Sequence, residues 1–337
     1  MPRRLFFFRL PGRRLAALLV VLLATSLLCD AQRLGGAGGG GRRGGGGRGG
    51  GGAGFGGPGG GGRANFGGLD APLDPALDWP VNPAFKADTF AFTRLIYDSG
   101  GGGRGGGGSW ATDTSVTNRD GRDADSSLAY RLHMMTSLKV HPGHNYIEIT
   151  PQNLARNPFV YMVEPGRLYF REEEVKALRN HLLNGGFLMV DDFWGDAEWD
   201  NFYAQFNRVF PELPRNLPAD SPGANAEGTI SIRELPLEHP IFHTVFDLKA
   251  RPQIPNINNY FSSGENFDRA RRGHDTTQVH YKGIFDKKGR LMMLICHNTD
   301  FGDGWEREGE NIEYFKKFSE PQAYPMIINV LFYIMSH

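Results

Sequence analysis

Cysteine is nearly absent: Cys29 and Cys296 are the two in 337 residues. Cys29 falls inside a segment that a signal peptidase would remove, which leaves Cys296 alone and excludes an intramolecular disulfide even in an oxidising compartment. The chain also lacks a Gly-x-Ser-x-Gly elbow, a His-Glu-x-x-His helix and a phosphate-binding loop in its foldable part. The sequence signatures of α/β hydrolases, zinc proteases and P-loop enzymes therefore do not apply. Net charge is zero, but the zero conceals a division. Residues 1–68 carry ten Arg against the single acid Asp30, a net of +9, and the remainder holds 27 basic and 36 acidic residues, a net of −9. An acidic folded region argues against nucleic acid as its partner.

Long apolar runs are scarce as well. Residues 15–29 form one, preceded by Arg3, Arg4, Arg9, Arg13 and Arg14 and followed by small residues around Ala31. This is the pattern of a secretory signal over residues 1–31, so the chain is expected to be exported, to the periplasm or beyond. The run is short against the roughly 20 apolar residues of a membrane span. Cleavage and retention as an anchor both stay open, as does the choice between the general secretory route and the twin-arginine route. Residues 32–68 are mostly glycine with scattered Arg, too poor in apolar surface to offset the entropy of ordering. With the proline-rich residues 70–83 they make a disordered tether and lead-in over 32–84. The composition fits an RNA-binding tail, but export favours weak contact with an anionic surface. Membrane contact is expected only through an uncleaved signal or this basic tether.

One α/β domain is expected over residues 85–337. It is organised around Gly185-Gly186-Phe187-Leu188-Met189-Val190-Asp191-Asp192. Val175, Leu178 and Leu182 recur at helical spacing behind acidic first-turn residues, and Gly185 ends that helix in a conformation glycine tolerates. Residues 187–190 contain no polar member, as in a parallel strand covered on both faces. Further strands are expected at 90–97, 146–149, 159–163, 229–235, 279–285 and 291–297, the last two joined as a hairpin through Asp286-Lys287-Lys288-Gly289. Asp125 is expected to cap a helix carrying Leu128, Leu132 and Met135. A second helix carries Trp199, Phe202, Tyr203, Phe206 and Val209, an aromatic stripe read as core. A third closes the chain with Ile327, Ile328, Leu331, Phe332 and Met335 on its core face. Residues 251–277 show little periodicity, and the glycine run at 100–108 reads as a loop at a strand end. The fold expected is a three-layer α/β sandwich with a mostly parallel sheet, ending in a β-hairpin and helix.

Two polar clusters leave strand ends. One is Asp191-Asp192; the other starts at His297-Asn298 and runs through Asp300 and Asp303 to Glu306. Ligands of open α/β sheets sit beyond the strands' carboxyl ends, so Asp191, Asp192, His297, Asn298, Asp300 and Asp303 are the candidate ligand-binding residues. Consecutive strand residues point to opposite faces, so Asp191 and Asp192 are expected to do different jobs. The hairpin brings His280 opposite His297, and with Asp300 and Asp303 these are candidate metal ligands. The competing reading is that the Asp and Asn residues are ordinary turn formers. Cys296, inside an apolar run, reads as a core thiol. No catalytic residue and no cofactor is indicated, and two functions are carried forward. One is non-catalytic binding of a small polar ligand or partner protein in an acidic crevice; the other is a metal-assisted hydrolase using His280, His297 and nearby Asp residues.

The chain resembles the bacterial domain of unknown function 4159 from about residue 90 onward. The resemblance rests on Phe159-Val160-Tyr161-Met162, Glu173-Glu174-Val175-x-x-Leu178-Arg179, Gly185-Gly186-Phe187-Leu188-x-x-Asp191-Asp192, His239-Pro240-Ile241-Phe242 and His297-Asn298-x-Asp300-x-Gly302-Asp303-Gly304-Trp305-Glu306. It implies the class I glutamine amidotransferase-like fold, a flavodoxin-like three-layer sandwich. Amidotransferases carry their cysteine on the turn that Asp191-Asp192 occupies here, a departure that argues against their chemistry. The resemblance implies no known activity.

Overall fold

A computed structural model describes residues 79–99, 109–114, 123–224, 228–269, 275–306 and 311–337. The expected signal peptide, the tether, most of the lead-in and the glycine run at 100–108 lie outside the described residues. Those described fall in one compact unit, Arg63–His337. Its strands are β1 (Thr93–Ile96), β2 (Asp98–Ser99), β3 (Asn145–Glu148), β4 (Phe159–Val163), β5 (Leu168–Tyr169), β6 (Phe187–Asp191), β7 (Gly223–Ala224), β8 (Ser231–Glu234), β9 (His280–Phe285) and β10 (Leu291–His297). Its helices are α1 (Ala124–Met135), α2 (Pro151–Arg156), α3 (Glu172–Leu183), α4 (Gly195–Val209), α5 (Ile257–Ser263), α6 (Phe301–Glu306), α7 (Ile312–Tyr314) and α8 (Tyr324–Ser336). Among the described residues no helix is long and apolar enough to cross a membrane.

Eight strands form one sheet in the order β3-β1-β4-β6-β10-β9-β8-β7. The first five run parallel, and β9, β8 and β7 extend the sheet by antiparallel pairing. Each central strand is apolar because each is covered twice. In β6, Phe187 and Met189 join the core beneath α1, α5 and α8, whereas Leu188 and Val190 join the core beneath α2, α3 and α4. β4 divides in the same way, with Tyr161 on the first face and Val160 and Met162 on the second. This is the expected three-layer α/β sandwich, and its hairpin and closing helix are present.

Several local expectations are corrected. The first strand covers only Thr93–Ile96, with Phe90 making a separate bridge to Val140. The cap of α1 is Asp123, whose carboxylate accepts from the Asp125 and Ser126 amides; Asp125 is instead ion-paired to Arg94, and Met135 is exposed. Met335 is exposed too, since it lies in the last turn of α8. The aperiodic stretch before β9 contains α5, and a π-helical segment, Phe315–Ala323 with Pro321 inside it, leads into α8. Gly185 behaves as expected, with φ of +103° just beyond the cap of α3.

Candidate functional site

Parallel pairing of β6 with β10, in the register Ile295↔Val190, sends both polar clusters off the same edge of the sheet. They are tied together there: the Asp192 amide donates to the Thr299 carbonyl at 3.1 Å, and the Asn298 amide to the Phe193 carbonyl at 3.0 Å. The two aspartates then part. Asp191, paired with Val163 at the end of β6, accepts through Oδ2 from the Tyr161 hydroxyl at 2.8 Å and from the Phe301 and Gly302 amides at 2.7 and 3.3 Å. It thereby holds the start of α6. Three hydrogen bonds would favour its anion, but burial outweighs them and pushes its pKa up to about 7.

Asp192 enters a different environment. Its φ of 55° turns the chain, its Oδ1 accepts from the Trp194 indole at 2.9 Å, and it joins a set of buried acids. Oxygens of Asp113, Asp192 and Asp300 lie within 4.8 Å of one another, and so do oxygens of Asp113, Asp303 and Glu306. All five residues are buried. Burial raises the pKa of Asp113, Asp192 and Asp300 well above the carboxylate range, and mutual repulsion among these acids and with Glu164 adds to it.

Two glycines let this set close. A Cβ on Gly302 would collide with Asp113 Oδ2, and a Cβ on Gly304 would stand 2.8 Å from the Ala323 Cβ of the π-helical segment. Asp113 is delivered from the other direction by Arg94 in β1. The Arg94 guanidinium makes a two-pronged pair with Asp125, Nε to Oδ2 at 3.0 Å and Nη2 to Oδ1 at 2.5 Å. Its Nη1 donates to the Trp110 and Thr112 carbonyls at 3.1 and 2.6 Å, immediately before Asp113.

Backbone strain gathers at the same edge. The described non-glycine residues with positive φ are Asp113, Glu164, Asp192, Asp275 and Asn298. Asp113 and Asp192 belong to the acid set, Glu164 repels both, and the Asp275 carbonyl accepts from the Asn298 amide group. Asp and Asn bear this conformation at modest cost.

The structure does not bring the histidines to the acids. His280 is paired with His297 across the hairpin, rings stacked with centroids 5.9 Å apart, but His280 Nδ1 faces Glu234 Oε2 at 3.4 Å. His297 Nε2 contacts the Gly195 carbonyl at 3.0 Å, and its ring packs on Phe193 and Trp199. Burial lowers its pKa to about 3 and keeps it neutral. The reason is strand alternation: His297 points to the α4 side, and the acids arise only after the chain turns at Asn298. Asn298 is spent on structure, accepting from the Gly195 amide at 2.8 Å and donating to the Asp275 and Gln278 carbonyls at 2.9 and 2.7 Å. Of the sequence-selected residues, Asp192, Asp300 and Asp303 converge, with Asp191 beside them. The sequence reading missed Asp113, whose only cue is an acid following a glycine run at a strand end. An open cleft of about 370 Å³ between α2 and α3 lies elsewhere, beside Pro158 and Gly186 at the amino ends of β4 and β6.

These features define an α/β sandwich with a buried carboxylate cluster at the carboxyl ends of its parallel strands. Residues 108–227 and 228–335 match the family described as a domain of unknown function (DUF4159), and the chain belongs to that family. No curated protein matches the chain.

Proposed function

We propose that this is an exported, non-catalytic binding domain that takes a small cation or the positively charged group of a polar ligand or partner protein at its acidic edge. The observation that carries this is the convergence of Asp113, Asp192, Asp300, Asp303 and Glu306 from separate segments into one buried cluster. Turn formers have no need to share a site, and like charges in a buried space call for a positive counterpart. The fold is glutamine amidotransferase-like and flavodoxin-like. In favour of that, the five parallel strands, counted in chain order, lie as second, first, third, fourth and fifth, the doubly wound order whose ligands sit where the winding reverses. Asp191, the last residue of β6, and Asp192 on the turn after it stand where the amidotransferases carry a cysteine nucleophile. Export rests on the signal-like residues 1–31 and the glycine-rich tether over 32–84, ahead of the domain at 85–337.

Metal-assisted hydrolysis is the second reading, favoured by the acid groups and not by His280 and His297, which face Glu234 and Gly195. Thermal melting of the chelator-treated full chain with CaCl2, MgCl2, MnCl2, 1,4-diaminobutane or arginine tests the main reading. At least one of these cations should raise the melting temperature of the wild type and not that of the Asp192→Asn, Asp300→Asn double variant. No shift with any of them, or equal shifts in both proteins, refutes a cation-binding edge.

A further inference from the structure

We infer that the acidic edge is a site for one hard divalent cation, ligated by Asp113, Asp192 and Asp300, with Asp303 and Glu306 forming a second group that shares Asp113. This assignment rests on the cation-binding reading above and narrows it to a metal ion.

Size comes first. Oxygen ligands stand about 2.3–2.6 Å from Ca2+ and slightly closer to Mg2+, so oxygens around one ion lie within roughly 5 Å of each other. The oxygens of Asp113, Asp192 and Asp300 meet that limit, at no more than 4.8 Å. They arrive from three parts of the chain: the segment that Arg94 anchors, the end of β6, and the turn after β10. All three residues are buried, which favours an ion over a larger organic cation.

An independent observation points to a ligand. Asp113 Oδ2 is a buried oxygen without a hydrogen-bond partner, and its residue is only 8% exposed. Orphaned buried carboxylate oxygens are costly. The missing side chain of Gly302 is what admits this one: a Cβ there would strike Asp113 Oδ2 and stand 3.4 Å from Asp300 Oδ1. Gly302 thus has Asp113 Oδ2 and Asp300 Oδ1 beside the same bare Cα, two acid oxygens that a shared cation would hold together. Arg94 does not fill that place, since its Nε, Nη1 and Nη2 are committed to Asp125, Trp110 and Thr112. Among the described residues Asp113, Asp192 and Asp300 make no ion pair.

Donor type selects the metal. The set is carboxylate oxygen throughout, with no thiolate or imidazole in either group. That favours Ca2+, Mg2+ or Mn2+ over the softer ions that nitrogen and sulfur ligands select.

Calorimetric titration of the chelator-treated full chain with CaCl2, MgCl2, MnCl2, ZnCl2 and 1,4-diaminobutane tests the assignment. One or more of the first three should bind saturably at one ion per chain. The affinity should fall at least tenfold in Asp113→Asn and in Asp192→Asn. If these variants fail to fold, Tb3+ luminescence of the wild type, excited through Trp305 of α6 and displaced by the binding ion, reads the same site. Diamine binding that Asp192→Asn abolishes, without binding of the three hard ions, overturns the metal assignment and leaves the cation reading standing. Absence of binding by every probe overturns both. Zn2+ binding tighter than all three hard ions, or unchanged affinity in the variants, also refutes the assignment.

Discussion

Replacing Arg94 by Met probes how the acid edge is assembled. Both side chains of the Arg94–Asp125 pair are fully buried. Removing one partner of such a pair leaves an uncompensated charge and costs about 3–5 kcal/mol. The Trp110 and Thr112 carbonyls lose their donor in the same step, at about 1–3 kcal/mol for each that stays unmet. A loss of about 5 kcal/mol is a fair expectation, and at 2–4 °C per kcal/mol for a domain of this size it lowers the melting temperature by roughly 10–20 °C. Differential scanning calorimetry measures it directly. The double replacement Arg94→Met, Asp125→Leu removes both charges and should recover the ion-pair share of the loss but not the carbonyl share. A single-variant loss under about 1 kcal/mol, or a double variant no more stable than the single, would refute the assembly described.

Three further outcomes are expected. Asp191 holds its proton up to about pH 7 when folded and releases it near pH 4 when unfolded. The folded state therefore binds more protons across that window, and stability falls as pH rises from about 4 to 7. Asp191→Asn, which keeps the oxygen acceptor, should flatten that part of the profile in urea melts of the chelator-treated protein; an unchanged slope contradicts the assignment. Gly302→Ala should cost about 1–3 kcal/mol by overpacking against Asp113, read as a lower urea midpoint, and a neutral result would mean that Asp113 is not seated there. Cys296 is fully buried, and burial raises its thiol pKa well above the ordinary value. It should react with a thiol reagent only at the rate of unfolding, and fast modification of Cys296 itself, told apart from Cys29 by peptide mapping, would contradict the packing.

The layers of this fold were legible because burial on both faces leaves a plain mark on a strand: residues 159–163 and 291–297 have the same bounds in sequence and structure. The shared edge of Asp192 and Asp300 was legible too, since a parallel sheet must bring its strand ends together. Asp113 was not. Its place depends on Arg94, 19 positions earlier, reaching the carbonyls beside it, and no local pattern encodes a contact of that kind. The histidines misled for a related reason. Their pairing across the hairpin was predictable, but the turn at Asn298, which separates the face of His297 from the acids, requires a positive φ that the sequence does not announce. The π-helical segment hid behind Pro321, which in sequence reads as a helix breaker.

The most direct measurement is anomalous diffraction from crystals of the full chain soaked in MnCl2 after chelator treatment. The account predicts a peak bounded by the carboxylates of Asp113, Asp192 and Asp300. A peak between His280 and His297, or density at surface acids alone, would contradict it.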